Sequence, residues 1–265
     1  MQIPLRLRQE LLALPILLLG SCGNGLLSFV PIDIDKSLGE QSQLQINASP
    51  DVFKILGQAE YHETYKGLNN IRDKIVSSGK LDHKKDFPWE LKIIEDDSVL
   101  NAFCLPGGYI YVYTGLIKYL DTEDALAGVI GHEMAHADLR HGTKQMLENS
   151  GLSLITRLIF GVDNSTLVGI GQNLISLSFS RDDESAADMK SVEMLYETDY
   201  DARGVSRFFE KIQLDKKDQG VIEFVSTHPS PENRVENISE KWKQLGAKKG
   251  KTFKIEYSAL KNTLP

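Results

Sequence analysis

From Pro50 onward the apolar positions recur at helical spacing. Phe53, Leu56, Tyr61, Tyr65, Leu68, Ile71 and Ile75 follow one another at intervals that line one face of a helix. Ser49, Pro50 and Asp51 supply a cap candidate, a proline for the first turn and an acid, and Gly79 supplies a stop, so the pattern predicts a helix from Pro50 to Ser78. Then the period changes. Trp89–Ile94 alternates loosely, and Asn101–Leu105 and Tyr109–Tyr113 flank Pro106-Gly107-Gly108, which predicts a strand followed by a hairpin. Tyr109, Tyr111 and Tyr113 read as alternating sheet residues, and Cys104 as a small buried hydrophobe. Beyond the hairpin the pattern is mostly helical. Acids at Asp121, Glu123 and Asp124 open a helix expected to run to about Arg140. Gly151–Ser180 is apolar but broken by Arg157, Asp163 and Asn164, which predicts buried or lid-forming helices and no membrane span. Asp182–Glu197, Ala202–Leu214 behind an Asp201 cap, and an exposed Pro231–Leu245 read as further helices, and Phe253–Tyr257 as a last strand. The expected fold class is α+β, mainly α, with a small mixed sheet.

The residues ahead of Pro50 read differently. Arg6 and Arg8 precede an apolar run of ten residues, Leu11–Gly20. A span needs about 20 such residues, so the run fits the core of a secretory signal. Leu19-Gly20-Ser21-Cys22 resembles the lipobox of bacterial lipoproteins, in which the cysteine is lipidated and becomes the new N-terminus. Gly23 follows it where an aspartate would retain the protein at the inner membrane, so the resemblance implies the outer membrane, facing the periplasm. The expected organisation is a signal peptide over 1–21, a weakly periodic tether over 22–49, and a folded domain over 50–265.

Composition adds exclusions. The chain has 265 residues, 41% hydrophobic and 25% charged, enough for a core without disulfide or metal staples. A net charge of −7 disfavours nucleic acid as a partner. Two cysteines cannot make a disulfide framework.

The chemistry concentrates in His132-Glu133-Met134-Ala135-His136. Four residues advance a helix by about 400°, so His132 and His136 share a face one turn apart and two neutral imidazoles can grip one Zn²⁺. Glu133, one position on, is placed to take a proton from a water at the metal. A catalytic zinc wants a third protein ligand and an open position. His141 is one candidate, but five residues of helix turn it off the metal face, and it reads as a C-terminal histidine bonding the last carbonyls. Glu184 is favoured instead. On the helix predicted over Asp182–Glu197, Asp188 lies one turn behind it and could hold a ligand histidine's other N–H. Ala186 and Ala187 would allow close approach to the His132–His136 helix, and Asp182 and Asp183 read as a solvated acidic face.

These segments resemble metallopeptidase family 48, the family of the CAAX prenyl endopeptidases, heat-shock membrane proteases, mitochondrial Oma-type proteases and periplasmic lipoprotein proteases. The resemblance is carried by HEMAH, by SRDDESAAD, by Asn101-Ala102-Phe103 with Pro106-Gly107-Gly108 and Thr114-Gly115-Leu116, and by Thr227-His228-Pro229-Ser230 with Arg234. It spans roughly Pro50–Leu245 and implies a gluzincin domain over 50–265. The thermolysin group shares the metal chemistry but not the last two segments. The resemblance implies one zinc per chain on His132, His136 and Glu184, Glu133 as general base, and Asp188 behind the ligands. It also implies that Asn101, Ala102, Phe103, Gly107 and Gly108 belong to an edge strand that pairs with substrate backbone. His228 is expected as an oxyanion donor or a fourth ligand, and Arg234 as a salt-bridge or substrate-backbone partner. No segment resembles the family's transmembrane helices, so the soluble, lipid-anchored branch is expected. The implied function is zinc-dependent endopeptidase quality control of unfolded or misassembled envelope proteins. The alternatives are a non-proteolytic, zinc-stabilised chaperone for outer-membrane proteins and a zinc hydrolase of cell-wall stems.

Overall fold

The structure is a computed structural model that describes residues 24–149, 178–215, 224, 226, 228–229 and 233–265. The expected lipidation site Cys22, the apolar run before it and almost all of 151–180 lie outside the described residues. In chain order the elements are α1 (Asn24–Leu27), α2 (Ile32–Asn47), α3 (His62–Ser77), β1 (Glu90–Ile94), β2 (Ala102–Leu105) and β3 (Tyr109–Tyr113). Then come α4 (Thr114–Tyr119), α5 (Glu123–Asp138), α6 (Arg181–Tyr196), α7 (Gly204–Leu214), α8 (Arg234–Gln244) and α9 (Lys254–Lys261). No helix of the described residues is long and apolar enough to cross a membrane.

The alternation in Tyr109–Tyr113 sets the layers. β3 is the middle strand, parallel to β1 and antiparallel to β2, in the order β1-β3-β2. Successive side chains of a strand face opposite ways. Ile110 and Val112 therefore enter the main core with Leu68, Ile71 and Ile75 of α3 and Ile130 and Met134 of α5, while Tyr109 and Tyr111 join a second cluster with Leu38 and Ile46 of α2. β2 is an edge strand, paired among the described residues with β3 alone.

Three expectations are corrected. The helix expected from Pro50 begins at His62. Residues 54–56 instead run along β1, with Leu56 N–H donating to Ile93 C=O at 2.9 Å and Glu95 N–H to Lys54 C=O at 2.8 Å, and so cover its edge. The stretch read as a tether is helical over α2. Its buried stripe is Asp35, Leu38, Gly39, Ser42 and Ile46, helical in spacing but mostly not apolar. At Gly39 a Cβ would lie 2.0 Å from Pro106 O, so the glycine lets α2 sit on the hairpin turn. The expected last strand is the start of α9. Phe253 and Tyr257 fit alternation as well as the helical spacing that Leu260 continues, and Tyr257 Oη donates to Ile117 C=O at 2.7 Å, fixing α9 against the end of α4. A fourth, the cap expected at Asp201, also differs: its carboxylate accepts Arg203 N–H at 3.1 Å ahead of the helix, Arg203 is the N-cap residue, and α7 starts at Gly204.

α5 is the hub. Every residue from Asp124 to Asp138 is buried. Small residues make this possible. A Cβ at Gly128 would meet Val205 N at 2.1 Å, one at Gly131 would meet Ser191 Oγ at 2.8 Å, and Ser191 Oγ donates to Gly128 C=O at 2.9 Å. α6 and α7 thus approach α5 at backbone distance. Gly128→Ala is expected to lower unfolding free energy by about 1–3 kcal/mol, the usual cost of overpacking, read as a lower midpoint in urea.

Candidate active site

α5 carries His132 and His136 on one face, and their Nε2 atoms are 3.0 Å apart. α6 crosses beside them. Its Ser180 cap accepts Asp183 N–H at 3.1 Å and starts the helix so that Glu184 points inward. Glu184 Oε2 is 3.3 Å from His132 Nε2, and Oε1 is 3.3 Å from His136 Nε2. His228, between α7 and α8, reaches the same carboxylate, Nδ1–H donating to Glu184 Oε1 at 2.9 Å. One donor atom from each of His132, His136, Glu184 and His228 lies within 4.8 Å of the others, and all four residues are buried.

Behind these groups stands a second layer. His132 Nδ1 is 2.9 Å from Asp188 Oδ1, so Nδ1 carries the proton that the carboxylate accepts. Arg234, at the start of α8, donates from Nη2 to Asp188 Oδ1 at 2.8 Å and to Glu184 Oε2 at 3.0 Å, with its guanidinium 3.6 Å above the Phe209 ring. It is buried as the ion-pair partner of both acids. Phe179 stacks on His136 at 4.0 Å and Phe224 on His228 at 4.7 Å, so aromatic faces hold two of the imidazoles.

The electrostatics are one-sided. Glu133, Glu184 and Asp188 are buried carboxylates, and Arg234 is the buried guanidinium among them. Burial works against a charged His132, but the Glu184 carboxylate and the bond to Asp188 outweigh it and push His132 up to about 9. Burial wins at His136, which falls well below the ordinary histidine value. Glu184 resists burial because His132 and the hydrogen bonds from its neighbours hold it far below the usual carboxylate range. Glu133 is raised by burial, and its Oε1 has no hydrogen-bond partner among the described residues. Converging imidazole nitrogens, a carboxylate held ionised and an excess of buried negative charge fit a divalent cation.

Sequence reasoning missed other parts. α5 ends at Asp138, and Arg140 takes a left-handed backbone with φ 59°. That turn brings His141 back, so it bonds His136 Nδ1 through its own Nδ1 at 2.9 Å instead of the helix carbonyls. It stays outside the group of converging donors. Asp183 is buried and bonded to Lys144 Nζ at 2.7 Å, not solvated, and of the two alanines Ala187 is buried while Ala186 is exposed. The only early signal for His141 was its position just after Arg140 and before Gly142.

β2, expected to pair with substrate backbone, is an outer strand of the sheet among the described residues. Ala102 is buried, Asn101 Oδ1 accepts Ala102 N–H at 2.9 Å, and Phe103 stacks on Tyr111 at 4.8 Å. Gly107 and Gly108 have φ of 82° and 84° in the hairpin turn, against the α2 backbone and the Phe87 and Trp89 side chains. Cys104 is half-buried on β2, its thiol raised by burial first and the Glu133 charge second.

Residues 64–242 match the description of Peptidase family M48. Mitochondrial metalloendopeptidase OMA1 of Schizosaccharomyces pombe is 28% identical over 229 residues, covering 81% of this chain and 66% of that protein. OMA1 of Arabidopsis thaliana is 31% identical over 159 residues, covering 60% and 32%. The beta-barrel assembly-enhancing protease of Yersinia pestis is 24% identical over 246 residues, covering 86% and 48%. The chain spans between about a third and two thirds of the length of these curated relatives.

Arg234→Met is expected to lower stability by about 3–5 kcal/mol, because it leaves two buried carboxylates without their cation. Chemical denaturation of the metal-free chain measures it.

Proposed function

The chain belongs to peptidase family M48, and from that premise we propose that it is a zinc-dependent endopeptidase acting on unfolded or misassembled proteins of the bacterial envelope. The observation that carries this reading is the convergence of His132, His136 and Glu184 beside the unpartnered oxygen of Glu133. The first three would hold one zinc, which when bound makes a water acidic and polarises the scissile carbonyl. Glu133 Oε1 takes the proton of the attacking water and returns it to the leaving nitrogen, a task suited to a carboxylate whose affinity for protons is raised by burial. Asp188 fixes the His132 ring, and Arg234 pairs with both Asp188 and Glu184. With Nδ1–H of His228 donating to Glu184, its Nε2, 3.5 Å from Glu133 Oε1, could donate to the oxyanion only when the ring carries its second proton.

β2 would hold the substrate as an added strand, reading backbone and favouring extended chains over folded ones. Asn101, Ala102 and Phe103 would line this contact, with Gly107 and Gly108 shaping the turn that fixes it. The Leu19–Cys22 sequence supports lipidation of Cys22 and attachment to the outer membrane facing the periplasm. Similarity to a bacterial protease named for β-barrel assembly is in keeping with the envelope, beside the relatives named as mitochondrial. A general base kept ready beside the metal donors favours hydrolysis over a purely holding role.

Glu133→Gln is expected to reduce peptide hydrolysis by about 10²–10⁴-fold with zinc content unchanged, measured on a casein-type substrate. Replacing His132 and His136 together by alanine is expected to take bound zinc towards zero by metal analysis. Cys22→Ser is expected to abolish acyl labelling and membrane attachment, and retention of both would overturn the anchor.

A further inference from the structure

We propose that His141 is a positioning residue that holds His136 as its Nδ1–H tautomer and so presents a bare Nε2 to the cation. The inference rests on the metal-centre reading above. The Nδ1 atoms of His141 and His136 are 2.9 Å apart, so one of them donates and the other accepts. The far nitrogen of His141, Nε2, faces Asp183 Oδ1 at 3.6 Å. Asp183 is anchored there by Lys144 Nζ at 2.7 Å and Ser180 Oγ at 2.6 Å. A carboxylate attracts an N–H and repels a lone pair, so the His141 proton belongs on Nε2 and its Nδ1 is the acceptor. His136 then donates from Nδ1, which leaves the lone pair on Nε2; Glu184 Oε1, 3.3 Å from that nitrogen, would draw a proton onto it in the absence of a cation, so this arrangement belongs to the loaded site.

The backbone is arranged for this contact. An uninterrupted helix would carry His141 round to another face. The left-handed Arg140 prevents that, and a non-glycine residue there needs support. Asp35 of α2 supplies it: its Oδ2 accepts from Arg140 Nη2 at 2.6 Å and Nε at 3.0 Å, and its Oδ1 from Thr143 Oγ1 at 2.6 Å. His132 receives the same service from Asp188, an anion, whereas His136 receives it from a neutral ring.

The test uses the full chain labelled with ¹⁵N-histidine. In the zinc-loaded protein His136 should show a proton on Nδ1 and an ¹⁵N–¹⁵N coupling across the hydrogen bond to His141 Nδ1. A bare His136 Nδ1, or a protonated one without that coupling, overturns the inference, and this measurement needs no variant to fold. By chelator competition, His141→Leu should weaken zinc binding on the order of 10- to 100-fold. His141→Asn, whose Oδ1 can accept the same bond, should restore most of it. Unchanged zinc affinity in His141→Leu sinks this inference alone, whereas an unaltered chain that binds no zinc sinks the metal-centre reading beneath it.

Discussion

Several carboxylates buried at one helix junction are the constraint to which the rest of the structure answers. Removing an ionised acid from water costs several kcal/mol unless a partner meets it with good geometry. Glu184 and Asp188 lie one turn apart on α6, and each is met by an imidazole of α5 and by Arg234 of α8, Glu184 also by His228. Such pairing needs α5 and α6 almost in contact. That explains glycine at 131, where a Cβ would meet Ser191 of α6, while glycine at 128 lets α7 come equally close. It also explains Phe209, whose ring covers the guanidinium that would otherwise face water.

The parts of the site legible in the sequence are those set by periodicity within one helix. His132 and His136, or Glu184 and Asp188, are one turn apart wherever the helix lies, and the chemistry of each pair narrows their use. Residues brought in by a break in periodicity were not legible. His141 was misjudged because the reasoning extended α5 through Arg140, where the backbone turns left-handed. α2 was missed because its buried face is built on Asp35, Gly39 and Ser42, which serve an ion pair, a close approach and a helix-internal hydrogen bond, not an apolar stripe. The short run at 253–257 fits two periods at once, and only its packing through Tyr257 decides between them.

The sheet divides the labour. Its main face, with Ile110 and Val112, joins the core around α3 and α5 and fixes the height of the metal-binding face. Its other face lies under α2, so the helix that steadies Arg140 also covers Tyr109 and Tyr111. β2 is left at the margin, and its Cys104 has a thiol raised by burial first and by the Glu133 charge second. On the proposed reading, recognition of an extended backbone and activation of a water would border one another on β2 and α5.

The unequal charge of the cluster has a consequence for the life of the protein. A polypeptide that finishes folding in a metal-poor compartment holds its negative cluster together with Arg234 and with the proton that His132 keeps up to about 9. On the proposed metal-centre reading, a dication would displace that proton and tie α5 to α6. Acquisition of the ion would then double as a maturation checkpoint, with the unloaded molecule the looser one.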